Sequence, residues 1–394
     1  MKLAKIILKS GKDDAVRRFH PWVFSGAIKK IEGNVEDGDI VEVYSNHDEY
    51  LATGHYQNGT IMVRLFSFFQ MIPDDQFWNS KIKKAYELRE LLGLTKSEST
   101  NVYRLVHAEG DGLPGLIIDF YNGTAVIQTH SIGMHMIKDQ LVKALTEVYG
   151  DKLKAVFDKS SETMPKQSSI KTVDSYLYGS ASETVVLEND SKFYVEWEGG
   201  QKTGFFIDQR ENRDLLKKYS NGKIVLNTFC YTGGFSVTAL KAGAKLVHSV
   251  DSSKKAIDLT EKNIQLNGFT KKQHQSIAAD VIDYMKDVDN KYDVIILDPP
   301  AFAKHQDAKH HAIQGYKRLN AQAIKQIKPG GILFTFSCSQ VVDKNLFSST
   351  VVSAAIQVGR NVKILHRLCQ PPDHPISAFH PEGEYLKGLV LFVE

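Results

Sequence analysis

The strongest constraint on the fold is a regular alternation of strand and helix signals in the C-terminal half of the 394-residue chain. Short apolar runs typical of strands recur at residues 224–229, 245–250, 276–280, 294–298, 332–337, 362–368 and 386–393. Segments with helical apolar spacing lie at residues 234–242, 254–267, 281–288, 316–327 and 340–358. This alternation predicts a seven-stranded, mostly parallel α/β sheet, which binds ligands at the carboxyl ends of its strands.

The N-terminal half has a different organisation. Residues 1–70 contain short β segments separated by turn residues, and residues 71–190 mix helical and strand patterns. We therefore predict a small β-rich domain at 1–70, a central α+β domain at 71–190 and the α/β domain at 191–394. A hairpin turning at Asn189 and Asp190 leads into the last of these.

Composition excludes several classes of protein. The chain is 42% hydrophobic and 24% charged, as in ordinary globular proteins. No apolar stretch approaches the ~20 residues of a membrane span, and no secretory leader is visible, so we expect a cytoplasmic protein without a membrane partner. Three cysteines are too few for a disulfide framework.

Basic residues are concentrated near the N-terminus. The net charge is only +3, but residues 1–30 hold eight Lys or Arg and two Asp. Such a segment suits contact with phosphates, and a solvated terminal surface is the alternative.

The first strand of the repeat runs into a turn at residues 227–235 that contains Gly233 and Gly234. Adjacent glycines let the backbone bend tightly and approach a ligand, and the following helix offers unpaired N–H groups. The turn lacks the G-x-G-x-x-G pattern, which disfavours a dinucleotide. A purely structural tight turn is the alternative.

Carboxylates follow the next two strands. Asp251 lies about 20 residues beyond the glycine turn, where it could accept the hydroxyls of a ribose. Asp280 ends the third strand, where it could meet an adenine amino group. Either residue could instead cap the helix that follows it.

The fourth strand runs into Asp298, Pro299 and Pro300, followed by Phe302. Two prolines after a strand give a rigid corner without amide donors. Such a corner could hold a flat base on which Phe302 stacks, or it could be a plain rigid loop.

A cysteine, Cys338, follows the fifth strand at the same predicted edge. A thiol in this position suits a nucleophile, and a buried inert cysteine is the alternative. Cys230 and Cys369 are interpreted as packing residues. His305, His310 and His311 have no common metal-ligand spacing, so we predict no metal and interpret their surroundings as a mobile basic loop.

Several of these motifs together resemble one family, the PUA-domain-containing, S-adenosylmethionine-dependent ribosomal RNA (23S-type) cytosine-5 methyltransferases. The resemblance is carried by residues 18–26, 104–116, 204–210, 227–235 and 298–300, and by Ser337-Cys338-Ser339. It covers nearly the whole chain. It implies a PUA-like β-barrel, a central α+β domain and a Rossmann-like methyltransferase domain.

The resemblance also implies which residues hold S-adenosylmethionine. Asp251 would bind its ribose, Asp280 its adenine, and the turn 232–234 would pass its methionine part. The full implied set is Phe206, Asp208, Arg210, Asn227, Phe229, Tyr231, Thr232, Gly233, Gly234, Asp251, Asp280 and Asp298.

The implied reaction requires a thiolate because carbon 5 of cytosine is a poor nucleophile. Addition of Cys338 to carbon 6 would activate carbon 5, and a base would then remove the carbon-5 proton. Asp298 is one candidate base. The other is Glu382, in a closing motif at residues 380–387.

Large-subunit ribosomal RNA is the implied partner, and a homodimer is left open. The implied substrate-binding residues are Arg18, Trp22, Pro299, Pro300 and Phe302. Residues 158–169 depart from the family by lacking arginines, which points to an altered RNA contact.

Three alternatives remain at this point. The same fold could methylate a guanine or adenine nitrogen, which needs no thiol. The chain could be a non-catalytic RNA-binding or assembly factor with a relic cofactor pocket. It could also methylate small molecules or proteins, which leaves the basic N-terminal module without a role.

Overall fold

The computed structural model describes residues 3–165, 170–181, 184–303 and 305–394. Two compact units are formed, and the chain passes between them more than once. The first comprises Met1–Val186, Val195–Phe205 and Pro372–Gly383, and the second comprises Leu187–Tyr194, Phe206–Pro371 and Glu384–Glu394. The boundaries of the three predicted domains stay a prediction.

The first unit begins with a six-stranded sheet. Its strands are β1 (Ala4–Leu8), β2 (Trp22–Phe24), β3 (Ile28–Glu32), β4 (Ile40–Tyr44), β5 (Tyr50–Tyr56) and β6 (Ile61–Ser67). They lie in the order β2-β6-β5-β4-β1-β3, and only β1 and β4 pair in parallel. Alternate residues such as Ile6, Leu8, Val41 and Val43 fill one core, which confirms the predicted β-rich module. A single-turn helix, α1 (Asp14–Arg17), precedes β2.

The second sheet of this unit carries helices. Its strands are β7 (Val102–His107), β8 (Leu116–Tyr121), β9 (Thr124–Thr129), β10 (Ala155–Asp158) and β11 (Ser175–Gly179), in the order β11-β10-β9-β8-β7. The helices are α2 (Asp75–Leu91), α3 (Ile132–Met136) and α4 (Lys138–Tyr149). Trp78 and Ile82 of α2 and Leu141 of α4 pack with the sheet in one core, as an α+β arrangement requires.

Buried ion pairs anchor the segment Pro372–Gly383 in the first unit. Arg104 holds Asp119 through two hydrogen bonds of 2.8 and 2.9 Å, and Arg89 holds Asp111 in the same way at 2.5 and 2.8 Å. Both arginines also bind Asp373: the Arg104 backbone N–H donates to its carboxylate, and the Arg89 guanidinium donates to its carbonyl oxygen. Removal of one partner of an ion pair would leave a buried charge unpaired, so both arginines are fixed in place. Because both arginines bind Asp373, this segment is tightly held.

The predicted hairpin is present. It is formed by β12 (Thr184–Glu188) and β13 (Ser191–Val195). Asn189 (φ 48°) and Asp190 (φ 65°) are both left-handed, as a two-residue type I′ turn requires, and Asn and Asp tolerate this conformation best among non-glycine residues.

The second unit contains the predicted seven-stranded sheet. Its strands are β14 (Ile224–Thr228), β15 (Leu246–Asp251), β16 (His274–Ala278), β17 (Val294–Leu297), β18 (Gly331–Ser337), β19 (Val362–Cys369) and β20 (Lys387–Val393). They lie in the order β16-β15-β14-β17-β18-β20-β19. The first five are parallel, and β20 runs antiparallel to both of its neighbours. The topology reverses at β14, so the carboxyl ends of β14 and its neighbours form the expected ligand crevice.

Helices flank the strands of this sheet. They are α5 (Arg210–Ser220), α6 (Gly234–Lys241), α7 (Lys254–Leu266), α8 (Val281–Tyr284), α9 (Lys309–Gln326) and α10 (Lys344–Val358). Ser253 and Asp343 cap α7 and α10 by accepting backbone N–H groups with their side chains.

Two local predictions were wrong, and one helix was missed. Helix α5 was not predicted, because its sequence is mostly charged and only a narrow stripe that includes Leu216 is apolar and buried. The predicted mobile histidine loop is largely the first turn of α9, where Ala312 and Tyr316 are buried four residues apart. Cys369 is exposed at the end of β19, so a packing role does not hold for it.

Among the helices of the described residues, none combines the length and apolar character needed to cross a membrane.

Candidate active site

The turn between β14 and α6 has an unusual backbone. Phe229 (φ 53°) and Tyr231 (φ 46°) are left-handed although neither is glycine, and Gly233 (φ 78°) follows. Such residues cost of order 1–3 kcal/mol each and persist where function needs the geometry. A Cβ on Gly233 would lie 2.8 Å from the Thr260 side chain, so glycine is required there for conformation and for space.

Asp251, at the end of β15, faces this turn. One carboxylate oxygen accepts the Tyr231 backbone N–H at 3.0 Å, and the other accepts the Ser253 N–H at 2.9 Å. Ser253, and not Asp251, caps the next helix. Since a carboxylate accepts about four hydrogen bonds, both oxygens retain lone pairs for neighbouring hydroxyls.

Asp280 has a different local role. It is exposed, lies beyond the end of β16 and caps α8 by accepting the Asp283 N–H at 3.0 Å. The helix-capping alternative therefore describes this residue, and a contact with adenine would use its remaining lone pairs.

The segment before α5 adds polar groups near the same edge. The Phe206 ring meets the Tyr231 ring edge-on, with centroids 5.1 Å apart. Asp208 accepts the Tyr385 hydroxyl at 2.8 Å through one oxygen. Arg210 is buried, and its guanidinium lies 3.3 Å from Glu211.

Asp298 follows β17 and has a perturbed acidity. Gln209 donates to its carboxylate at 3.0 Å, and Asn212 in turn donates to Gln209 at 2.7 Å. Removal from water, and secondarily the charge of Asp208, raise the pKa of Asp298 to about 7. A carboxyl group with this pKa can exchange a proton near neutral pH.

The residues after Asp298 form a corner. Pro299 is buried and Pro300 is exposed. Phe302 packs against Tyr316 with ring centroids 4.6 Å apart. Part of the Phe302 ring is therefore buried against the core.

Cys338 follows β18, directly beside the buried Ser337 and Ser339. The thiol is half-buried. Tyr316 binds the Ser339 hydroxyl at 2.9 Å, and Lys387 donates to the Ser339 carbonyl oxygen at 2.7 Å. By contrast, burial raises the pKa of the Cys230 thiol to about 12, which keeps it protonated at neutral pH.

Three of the predicted residues, Arg18, Trp22 and Glu382, lie in the first unit. Arg18 is exposed. Trp22 is half-buried, and its indole N–H donates to Glu109 at 2.9 Å. Glu382 lies near His20 and His380, at 3.7 and 3.8 Å from their Nε2 atoms. The structure thus places Cys338 and Asp298 in the second unit and Glu382 in the first.

His20, His380 and Glu382 also present ligand atoms within 4.8 Å of one another, an arrangement that could hold a metal ion. His20 Nδ1 accepts the Trp22 backbone N–H at 3.2 Å in one tautomer and lies 3.4 Å from the Trp22 carbonyl oxygen, to which it donates in the other. Both tautomers therefore have a partner, and the same side chains also form histidine–carboxylate contacts at 3.7 and 3.8 Å.

Unsatisfied buried atoms test whether the second unit suits a nucleoside cofactor. Asn227 donates to Ser236 at 2.9 Å, but its Oδ1 has no partner among the described residues, and neither does the buried Oδ1 of Asp208. Orphaned buried acceptors in this unit suit a polar ligand with hydroxyl and amino groups. An open, mostly parallel sheet with a crevice at its carboxyl edge is typical of nucleoside-binding α/β proteins.

Comparisons with known proteins make this class specific. Residues 6–68 match the family described as PUA-like domain, and residues 165–389 match the family described as S-adenosylmethionine-dependent methyltransferase. The chain is 40% identical to "Ribosomal RNA large subunit methyltransferase I" of Aeromonas hydrophila, covering 98% of this chain and 99% of the relative. The protein of the same name from Photobacterium profundum is also 40% identical, over 99% of each chain.

Solved structures show the same fold. A putative SAM-dependent methyltransferase from Streptococcus mutans superposes with a TM-score of 0.83 at 24% identity, over 98% of this chain and 99% of that one. A putative methyltransferase complexed with SAH gives a TM-score of 0.85 with the same identity and coverage.

The chain belongs to the S-adenosylmethionine-dependent methyltransferase family, and S-adenosylmethionine is its cofactor. The predicted fold class and cofactor are thereby confirmed.

Substituting Gly233 by alanine should weaken cofactor binding tenfold or more, because the new Cβ meets Thr260 and the backbone must leave its left-handed conformation. Strain alone should cost about 1–3 kcal/mol of stability. Gly268→Ala is the matched control, since Gly268 has φ +80° but open space around it. Thermal unfolding and calorimetric titration with S-adenosylmethionine measure both effects. Equal cofactor affinity in the two variants would contradict this role of the turn.

Proposed function

We propose that this protein methylates carbon 5 of a cytosine in large-subunit ribosomal RNA through a covalent intermediate on Cys338. The names of the relatives support a large-subunit ribosomal RNA substrate. With such a substrate, we expect the protein to act in the cytoplasm.

The observation that carries the proposal is the pairing of β17 with β18. Leu297 lies opposite Thr335 in the parallel register, so Asp298 and Cys338 leave adjacent strands at the same edge of the sheet. A nucleophile and a proton acceptor on one edge are what carbon-5 methylation needs, whereas methylation of a ring nitrogen needs no thiol.

S-adenosylmethionine, when bound, supplies the methyl group. The Cys338 thiolate forms a bond to carbon 6, and the carbon 5–carbon 6 double-bond electrons make carbon 5 nucleophilic. After carbon 5 is methylated, a base takes its proton, the double bond re-forms and the thiolate leaves. Asp251 and the turn at Gly233 would hold the cofactor.

Asp298 is the base that best fits the second unit. Its pKa of about 7 makes it an effective proton acceptor near neutral pH, which an ordinary exposed aspartate is not. Gln209 orients its carboxylate by a hydrogen bond.

The basic N-terminal module is proposed to contact RNA phosphates. Substituting the exposed Arg18 by alanine should weaken RNA binding about three- to tenfold and reduce the slope of log affinity against log salt concentration by about 0.7–0.9. Lys152→Ala, at an exposed lysine elsewhere in the first unit, is the control. Filter binding between 50 and 200 mM salt as an assay range tests this. An unchanged slope for Arg18→Ala would remove Arg18 from the interface.

The decisive test is the chemical identity of the product. Ribosomal RNA from cells that lack the protein is incubated with the enzyme and labelled S-adenosylmethionine, digested and analysed as nucleosides. We expect 5-methylcytidine. Methylated guanosine or adenosine would overturn the proposed base and mechanism. RNA carrying 5-fluorocytosine should trap the protein covalently, because fluorine cannot be removed as a proton.

A further inference from the structure

A buried lysine of β20, Lys387, lies opposite the end of β18, close in the fold to the proposed nucleophile Cys338. Lys387 is only 6% exposed and is the first residue of β20. The antiparallel register places it opposite Ser337, the residue before Cys338. Its ammonium donates to the carbonyl oxygen of Ser339, the residue after Cys338, at 2.7 Å. Lys387, on the neighbouring strand, thus contacts the residues on both sides of Cys338.

Burial of a lysine is unfavourable unless charges offset it. Removal from water lowers the pKa of Lys387 to about 8, while Cys338, Glu384 and Asp343 each favour its charged form, the sulfur first among them. The two carboxylates have other partners: Glu384 lies 3.5 Å from Lys344, and Asp343 caps α10. Among the described residues, Tyr316 is a further titratable side chain near Cys338: burial first, and the Cys338 charge in addition, raise the pKa of its hydroxyl.

We propose that the Lys387 ammonium is the counter-charge that holds Cys338 as a thiolate. This inference rests on the proposed function, because it assigns a partner to the nucleophile of that reaction. The thiol proton passes to solvent, and Lys387 stays protonated throughout. The sulfur loses its negative charge when it bonds to carbon 6 and regains it when it is expelled, so the ammonium favours both the reactive and the released thiolate.

The charge partnership can be measured without RNA. The rate of Cys338 alkylation by iodoacetamide is followed against pH in the full chain, with peptide mass spectrometry to separate Cys338 from Cys369. An unperturbed thiol has a midpoint near pH 8.5. We expect the wild-type midpoint at least about one pH unit lower, Lys387→Met near or above 8.5, and Lys387→Arg close to wild type.

Two further measurements separate this role from a structural one. In Lys387→Met, kcat at pH 7 should fall about tenfold or more with an unchanged KM for S-adenosylmethionine, and raising the pH should restore much of it because more thiolate forms. Lys344→Met, which removes a nearby exposed lysine, should behave as wild type.

A wild-type midpoint at or above 8.5 would overturn the inference, whether or not any variant folds. An unchanged midpoint in a folded Lys387→Met protein would do the same. Failure of the proposed function looks different: the product would not be 5-methylcytidine, while the alkylation midpoints could still shift as described.

Discussion

Replacement of Cys338 by alanine should reduce methyl transfer to ribosomal RNA by more than about 10³-fold, because the covalent route has no substitute nucleophile. Cys230 cannot take over, since burial raises the pKa of its thiol to about 12. Affinity for S-adenosylmethionine should stay within a few-fold of wild type, because the glycine turn and Asp251 remain intact.

The comparison needs three measurements on the same preparations: initial rate of methyl transfer, calorimetric cofactor affinity and trapping on RNA with 5-fluorocytosine. Cys369→Ala is the matched control, since that thiol is exposed at the end of β19. The control should react and be trapped normally. Undiminished transfer by Cys338→Ala would show that the protein is a methyltransferase whose target is a nucleophilic ring nitrogen. Such a nitrogen attacks the methyl group directly and needs no thiolate from the enzyme.

The sequence predicts the parts of the fold and site that depend on local patterns. The strand–helix alternation, the turn at Gly233, the carboxylate of Asp251 and the corner at Pro299 are all adjacent to a strand end, so one periodicity locates them. Helix α5 was missed because its apolar stripe is narrow and its exposed surface is charged. The beginning of helix α9 was predicted too far along the chain, because Gly315 interrupts its helical apolar spacing.

Tertiary neighbours of the site could not be derived in this way. Gln209 and Asp298 are 89 residues apart, and nothing local marks them as hydrogen-bonded. Lys387 meets Ser339 only because β20 inserts antiparallel between β18 and β19. The elevated pKa of Asp298 likewise depends on burial by the folded chain and, secondarily, on the charge of Asp208, which comes from another segment.

Replacement of Asp298 by asparagine should lower turnover about 10²–10⁴-fold, the usual contribution of a positioned general base. The loss has a specific form. Cys338 can still add to carbon 6 and carbon 5 can still be methylated, but its proton is not removed, so the thiolate is not expelled. A covalent protein–RNA adduct should therefore accumulate on unmodified RNA and appear as a slower band in a denaturing gel.

The pH dependence of kcat identifies the residue that removes the carbon-5 proton. A base must be deprotonated to act, so wild-type kcat should rise with pH through about 7, following the pKa of Asp298. The Asp208→Asn variant tests this assignment. Removal of the Asp208 charge should lower the pKa of Asp298 and shift the rise of kcat to lower pH. Glu382→Gln should neither accumulate the adduct nor shift this rise. If instead Glu382→Gln accumulates the adduct and Asp298→Asn turns over normally, Glu382 removes the proton, and the carboxylate beside the Pro-Pro corner serves only to position the base.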